Sequence, residues 1–233
     1  MEFLTELACD GFAIVPSVVP NQEIESLLAR LNKGEPEIPP NRRSHHAHAI
    51  RNLLRVMPQT RQAAESAAVR SLVESVLGPD AFVVRDLFFD KTPEANWKVP
   101  WHQDLTIAVR HRKDVPGFGP WSVKDGVPHV VSPAEWLERM LTVRLHLDDC
   151  GEENGPLRVL PGSHRHGKLD SRAIQMWRER APAVSCVVNR GDALLMRPLL
   201  LHASSPARHP GHRRVIHLEF ASEELPGGLQ WCG

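Results

Sequence analysis

The chain has 233 residues, and its 28 Lys plus Arg balance 28 Asp plus Glu, so no basic excess points to nucleic acid as a partner. Hydrophobic residues make up 42% and charged ones 24%, ordinary for a soluble globular protein with one sizeable core, and no apolar stretch approaches the roughly 20 residues of a membrane span. Thirteen histidines stand against no tyrosine, which makes histidine geometry the place to look for chemistry.

The start, "MEFLTELACDGF", is acidic and has no basic segment ahead of an apolar run, so no signal peptide is expected. Cys9, Cys150, Cys186 and Cys232 lack CxxC spacing and read as reduced thiols of a cytoplasmic protein, not as a disulfide frame or zinc site. The first 35 residues predict a helix, a strand in "GFAIVPSVV", and a second helix with Asn21 as N-cap and the stripe Ile24, Leu27, Leu28 and Leu31. "NKGEPEIPPNRRSHH" reads as an exposed loop. His45, His46 and His48 belong to that solvated region, with a place in a substrate mouth as the alternative. Thr60 to Leu77 predicts one Ala-rich helix with Ala64, Ala68, Leu72 and Val76 on one face, stopped by Gly78-Pro79.

From Ala81 the pattern changes to short β-rich runs: "AFVVRDLFF", "WHQDLTIAV", "MLTVRLHLDD", "PLRVLPGS", "VSCVVNRGDALLM" and "RRVIHLEFAS". Helices first, then six or more strands without intervening helices, predict a mainly β fold with supporting helices, a jelly-roll barrel. One domain over 1–233 is expected, with mostly helical support over 1–80 and a jelly-roll core over 81–222. Residues 110–135 form a long insertion with little periodicity, expected to be a lid, a binding loop or a disordered segment.

The stretch "VPWHQDLTIAV" reads as a buried strand that carries a histidine and an aspartate two residues apart. Alternation puts His102 and Asp104 on one face, where they form either a hydrogen-bonded structural pair or two adjacent metal ligands. A third ligand has to come from far along the chain, and the candidate is His202, which ends the apolar run Leu199-Leu200-Leu201, read as a buried strand. Two histidines and a carboxylate on one face of iron(II) leave positions open for a bidentate cosubstrate and O2. Arg213, eleven residues on, could hold a carboxylate by paired charge-assisted bonds, with Ser204 assisting; together they imply a 2-oxo acid. Arg214 is its rival, although strand neighbours face opposite ways and spacing favours Arg213. His146-Leu147-Asp148 is a second HxD, read as a barrel-lining histidine and a turn-binding aspartate. His164 and His166 read as turn or surface residues, His209 and His212 as loop residues, and His217 as a strand residue without a role.

The blocks "LACDGFAIVPSVVPNQEI", "WHQD", "EENGPLRVLPGSHRHG" and "GDALLMRPLLLHASSPARHPGHRRVIHLEFAS" come in order across nearly the whole chain. In them the sequence resembles the phytanoyl-CoA dioxygenase family of iron(II)- and 2-oxoglutarate-dependent oxygenases. The resemblance implies a double-stranded β-helix, a cupin-like jelly roll, with iron on His102, Asp104 and His202. It implies Arg213 and Ser204 on the distal carboxylate of 2-oxoglutarate. Further cosubstrate-lining positions fall on Leu87, on Arg144, where the family often has an aromatic or apolar residue, and on Arg51. The arginine at 144 departs from that pattern and is a candidate for a charged substrate group. The implied function is a dioxygenase that uses O2 and 2-oxoglutarate to hydroxylate a small organic molecule, releasing succinate and CO2. Desaturation or epimerisation by the same oxidant stays open, while Asp104 leaves no vacancy for a halide. The alternative is a metal-binding cupin-like isomerase or a non-catalytic ligand-binding protein. No nucleic acid or membrane partner is expected.

Overall fold

The computed structural model describes residues 2–33, 48–57 and 60–233; His45 and His46 lie outside them. Helix α1 (Glu2–Cys9), strand β1 (Phe12–Val15) and helix α2 (Asn21–Lys33) fall where the sequence places them. The stripe of α2 is buried at Ile24, Leu27 and Leu28, each contributing ~1.5–3 kcal/mol by leaving water. Asn21 is the first helical residue and not the cap. The Pro20 carbonyl takes the first-turn amides of Glu23 and Ile24 at 2.9 and 3.1 Å.

Strand β2 (His48–Arg51) and the short α3 (Leu53–Val56) precede α4 (Arg61–Ala64) and α5 (Ala67–Leu77). The single helix predicted over Thr60–Leu77 is thus two. Ser66 breaks it because its hydroxyl caps the second helix, accepting from Val69 N at 3.4 Å. The break resets the phase: Ala63, Ala64, Val69 and Val73 are buried, while Ala68 is exposed and Leu72 and Val76 are half-buried.

The remaining elements are β3 (Phe82–Lys91), β4 (Val99–His102), β5 (Thr106–Ala108), β6 (Trp121–Lys124), β7 (Val127–Val131), α6 (Ala134–Glu138), β8 (Leu141–His146), β9 (Leu157–Val159), α7 (Ser171–Arg180), β10 (Val184–Cys186), β11 (Ala193–Met196), β12 (His202–Ser204) and β13 (Arg213–Ala221). The 110–135 insertion is ordered around a β-hairpin. Asp125 and Gly126 both take positive φ, 49° and 78°, the pair of angles a two-residue hairpin turn requires, and β6 and β7 extend from them beside β5. The run "WHQDLTIAV" is not one strand, since Gln103 to Leu105 interrupt it. Leu199 to Leu201 likewise form a buried turn leading into β12, so His202 begins a strand instead of ending one. Helix α7 has no counterpart in the sequence reading; Asp170 caps it, accepting from Ala173 N at 2.7 Å.

All strand pairs are antiparallel. A six-stranded sheet runs β1-β11-β8-β13-β3-β2, and a four-stranded sheet runs β10-β9-β12-β4. With a three-stranded β5-β7-β6 sheet at one end, these make the expected jelly roll. The N-terminal third supplies both edge strands of the six-stranded sheet as well as helical support. Leu141, Val143, Leu145, Ile216, Leu218 and Phe220 join the core cluster of α2 and α5. Alternation therefore turns Thr142, Arg144, His146, Arg213, Val215, His217 and Glu219 to the barrel interior. No helix among the described residues is long and apolar enough to cross a membrane.

Candidate metal centre

Three donors meet where β4 faces β12. His102 and His202 are directly opposed in the β4–β12 pairing, which sends both rings to the same face, and their centroids are 4.2 Å apart. Asp104 follows the end of β4 and is held by two devices. Its amide donates to Pro198 O at 2.9 Å. The buried Gln103 amide next to it donates to Gly167 O and Leu199 O, while its oxygen accepts from Leu169 N. The interruption of the strand is therefore pinned, and it aims the carboxylate between the two rings. Asp104 Oδ1 lies 3.6 Å from His102 Nε2, and Oδ2 lies 3.6 Å from His202 Nε2.

The hydrogen bonds on the far side of each ring decide what these donors can do. His102 Nδ1 is 2.9 Å from Pro100 O, and His202 Nδ1 is 2.8 Å from Leu200 O. A carbonyl only accepts, so each Nδ1 carries the proton and each Nε2 offers its lone pair to the shared point. Burial, opposed by Asp104, lowers the pKa of His202 to about 4, which keeps it neutral at pH 7. Burial would raise the Asp104 carboxyl, but His202 and His102 outweigh it and hold the acid well below the usual carboxylate range. Burial pulls the pKa of His102 down, but the hydrogen bond and charge of Asp104 prevail and raise it. Two Nε2 donors and an ionised carboxylate suit a divalent ion with open positions. Among the described residues this is the one group of three metal-ligating side chains brought together.

A cationic cradle sits on the inner face of the six-stranded sheet. Arg213 is buried, and its guanidinium donates to Gly155 O and to Ser204 Oγ. The Ser204 hydroxyl donates in turn to Gly155 O at 3.1 Å. Residue 155 must be glycine, because φ is +63° and a Cβ would come within 2.4 Å of Ser205 O. The sequence reading missed Lys91, 1% exposed, which donates to Ser204 Oγ at 2.9 Å and to Ser205 O. Lys91 and Arg213 are directly opposed in register, a like-charge pairing that costs stability unless an anion lies between them. Arg213 Nε is buried without a partner. Arg214 points the other way, onto Asp148 at 2.6 Å, so the aspartate of the second HxD motif holds a strand arginine and not the turn amides expected of it.

Leu87 is buried on the inner face, flanked in register by Arg51 and His217. Arg51 reaches across to the β6–β7 turn and pairs with Asp125 at 2.7 Å. Arg144 is buried beside His217. His146 is buried with neither ring nitrogen bonded, and burial, reinforced by Arg144 and Arg213, keeps it neutral. His212 pairs with Asp90 at 2.9 Å, and His209 is exposed beside Glu153.

A profile of the family described as phytanoyl-CoA dioxygenase (PhyH) matches residues 7–215. The chain belongs to that family. The peroxisomal phytanoyl-CoA dioxygenase of Rattus norvegicus is 26% identical over 168 residues, 65% of this chain and 43% of that protein. The chain thus spans less than half the length of this relative. The ectoine dioxygenase of Bordetella parapertussis is 24% identical over 245 residues, covering 92% of this chain and 73% of that one. Among solved structures, the epimerase SnoN in complex with Fe3+, alpha ketoglutarate and nogalamycin RO has TM-score 0.73 at 17% identity, covering 97% of this chain and 90% of that one. The likeness establishes that the two share a fold.

Proposed function

We propose that the protein is an iron(II)- and 2-oxoglutarate-dependent dioxygenase that hydroxylates a small organic molecule. The observation that carries this reading is the pairing of a His-Asp-His face, its lone pairs fixed by carbonyl-bound Nδ1 protons, with the buried basic side chains of Arg213 and Lys91, which have no carboxylate partner among the described residues. In the balanced reaction 2-oxoglutarate, O2 and a C–H bond give succinate, CO2 and a C–OH bond. Iron(II) on His102, Asp104 and His202 supplies the dioxygen chemistry. The chain's own part is positional. Arg213, Lys91 and Ser204 take the distal carboxylate and set the cosubstrate's direction, with Leu87 and Arg51 along its flank. Leu87 and Val215, both buried, and the half-buried Phe89 line the sheet side of the interior with apolar side chains.

The names of the relatives span an acyl-CoA, ectoine and L-proline, so the family does not choose one substrate. A redox-silent cupin-like isomerase or ligand-binding module has no use for two buried basic side chains beside the metal face. The test is succinate formation from 2-oxoglutarate under air by iron-loaded protein, across amino acids, fatty acids, their thioesters and natural-product scaffolds. Iron-dependent succinate that vanishes in Asp104→Ala supports the proposal. Absence of succinate in every arm, from protein that carries iron, refutes it.

A further inference from the structure

Deeper along the inner face lies a second charged array that the cradle does not use. Arg85 Nη1 donates to Glu219 Oε1 at 2.9 Å. The same oxygen is 3.2 Å from His217 Nε2, and His217 Nδ1 is 2.8 Å from Arg144 Nη1. An arginine can only donate, so Nδ1 accepts from Arg144 and the ring proton sits on Nε2, facing Glu219. The assignment follows from the network and makes His217 a neutral relay. One carboxylate therefore serves two arginines, and Arg144 reaches it only through an uncharged ring.

Arg144 is 8% exposed, and its Nε is buried with no partner. Its guanidinium lies 5.6 Å from the Phe89 ring centre, and Phe89 meets His217 edge-on at 5.7 Å, so one aromatic fixes both members of the relay. In register Arg144 is opposite His217, four residues along β13 from Arg213, or roughly 13 Å of strand. A buried cation held in place, with Asp104 as a more distant counter-charge and an Nε that has no partner among the described residues, is a prepared anion site.

We infer that Arg144, positioned by His217, Glu219 and Arg85, is a second anion site inside the barrel, separate from the Arg213 cradle and built for a carboxylate. That carboxylate belongs either to an acidic substrate or to the metal-side end of the 2-oxo acid. The choice of ligand rests on the proposed oxygenase reading; the anion site does not.

The experiment is diffraction at the bromine edge from crystals of the full chain with nickel(II), 2-oxoglutarate and sodium bromide, alongside Arg144→Gln and Arg144→Lys. Bromide on Arg144 with 2-oxoglutarate elsewhere, lost in Arg144→Gln and kept in Arg144→Lys, supports the site and assigns it to an acidic substrate. Arg144→Gln then leaves 2-oxoglutarate affinity within about twofold. A cosubstrate carboxylate on Arg144 supports the site with the other ligand, and Arg144→Gln then weakens 2-oxoglutarate binding at least tenfold. Neither anion at Arg144, with its free protons on protein atoms, overturns the inference. Bromide on Arg144 in crystals that take up no 2-oxoglutarate keeps the site and refutes the oxygenase reading instead.

Discussion

Lys91→Met separates the cost of the proposed cosubstrate cradle from its use. Lys91 is 1% exposed, and burial first, then Arg213, lowers its pKa from 10.5 to about 7, with Arg144 adding repulsion and Cys150 opposing it. The unfolded chain keeps this proton up to pH 10.5 and the folded chain releases it near 7, so folding stability rises with pH across that window. The linkage costs the folded state on the order of 4 kcal/mol at pH 7 and under ~1 kcal/mol at pH 10. Methionine fills similar volume without charge, but forfeits the bonds to Ser204 and Ser205, worth ~1 kcal/mol each. The expected balance is a metal-free variant more stable than wild type by ~1–3 kcal/mol at pH 7 and less stable at pH 10. Urea denaturation at both pH values reads the crossover, since titrating groups that do not interact with Lys91 cancel in the difference. The same variant is expected to bind 2-oxoglutarate at least tenfold more weakly, the trade of stability for binding common at functional sites. A stability difference that does not change with pH, or a variant weaker than wild type at pH 7, refutes the reasoning.

Three further outcomes are expected. Arg213→Ala strands the distal carboxylate of a bound dicarboxylate, a loss of ~3–5 kcal/mol, so anaerobic titration should show 2-oxoglutarate affinity reduced at least a hundredfold; little change would transfer the role to Lys91 alone. Gly155→Ala drives a Cβ to 2.4 Å from Ser205 O at φ +63° and should lower both thermal stability and cosubstrate affinity; an unaltered melting temperature would show that the loop gives way freely. Gln103→Leu removes three hydrogen bonds around the strand interruption, one buried and two part-buried, at ~1–3 kcal/mol for each buried group left unpaired, and should weaken iron binding by letting Asp104 drift. Unchanged iron affinity would mean that the Pro198 contact positions Asp104 by itself.

The barrel was legible because it depends on local signals, alternating apolar runs and turn residues, and the HxD spacing marked His102 and Asp104. The strand alternation used to put those two on one face does not hold, since Gln103 to Leu105 interrupt the strand. Several misses had local signals too. Asp125-Gly126 is a hairpin turn pair inside the supposed irregular insertion, and Ser66 is a cap in the middle of the supposed single helix. Other features could not be read from local pattern. Lys91 faces Arg213, and Arg144 faces His217, only because β13 pairs in one register with β3 on one side and β8 on the other. A slip of one residue would turn each of these charges to the opposite face. For the same reason His217, assigned no role from sequence, is the hinge of the Arg144 relay.

The most direct measurement is an anaerobic titration of the metal-free protein with iron(II), followed by 2-oxoglutarate, watching for the weak visible charge-transfer band. The account predicts one iron per chain and a band that saturates with 2-oxoglutarate, both lost when His202 or Asp104 is replaced by alanine. Iron bound with equal strength in those variants, or a cosubstrate that binds without any band, would contradict it.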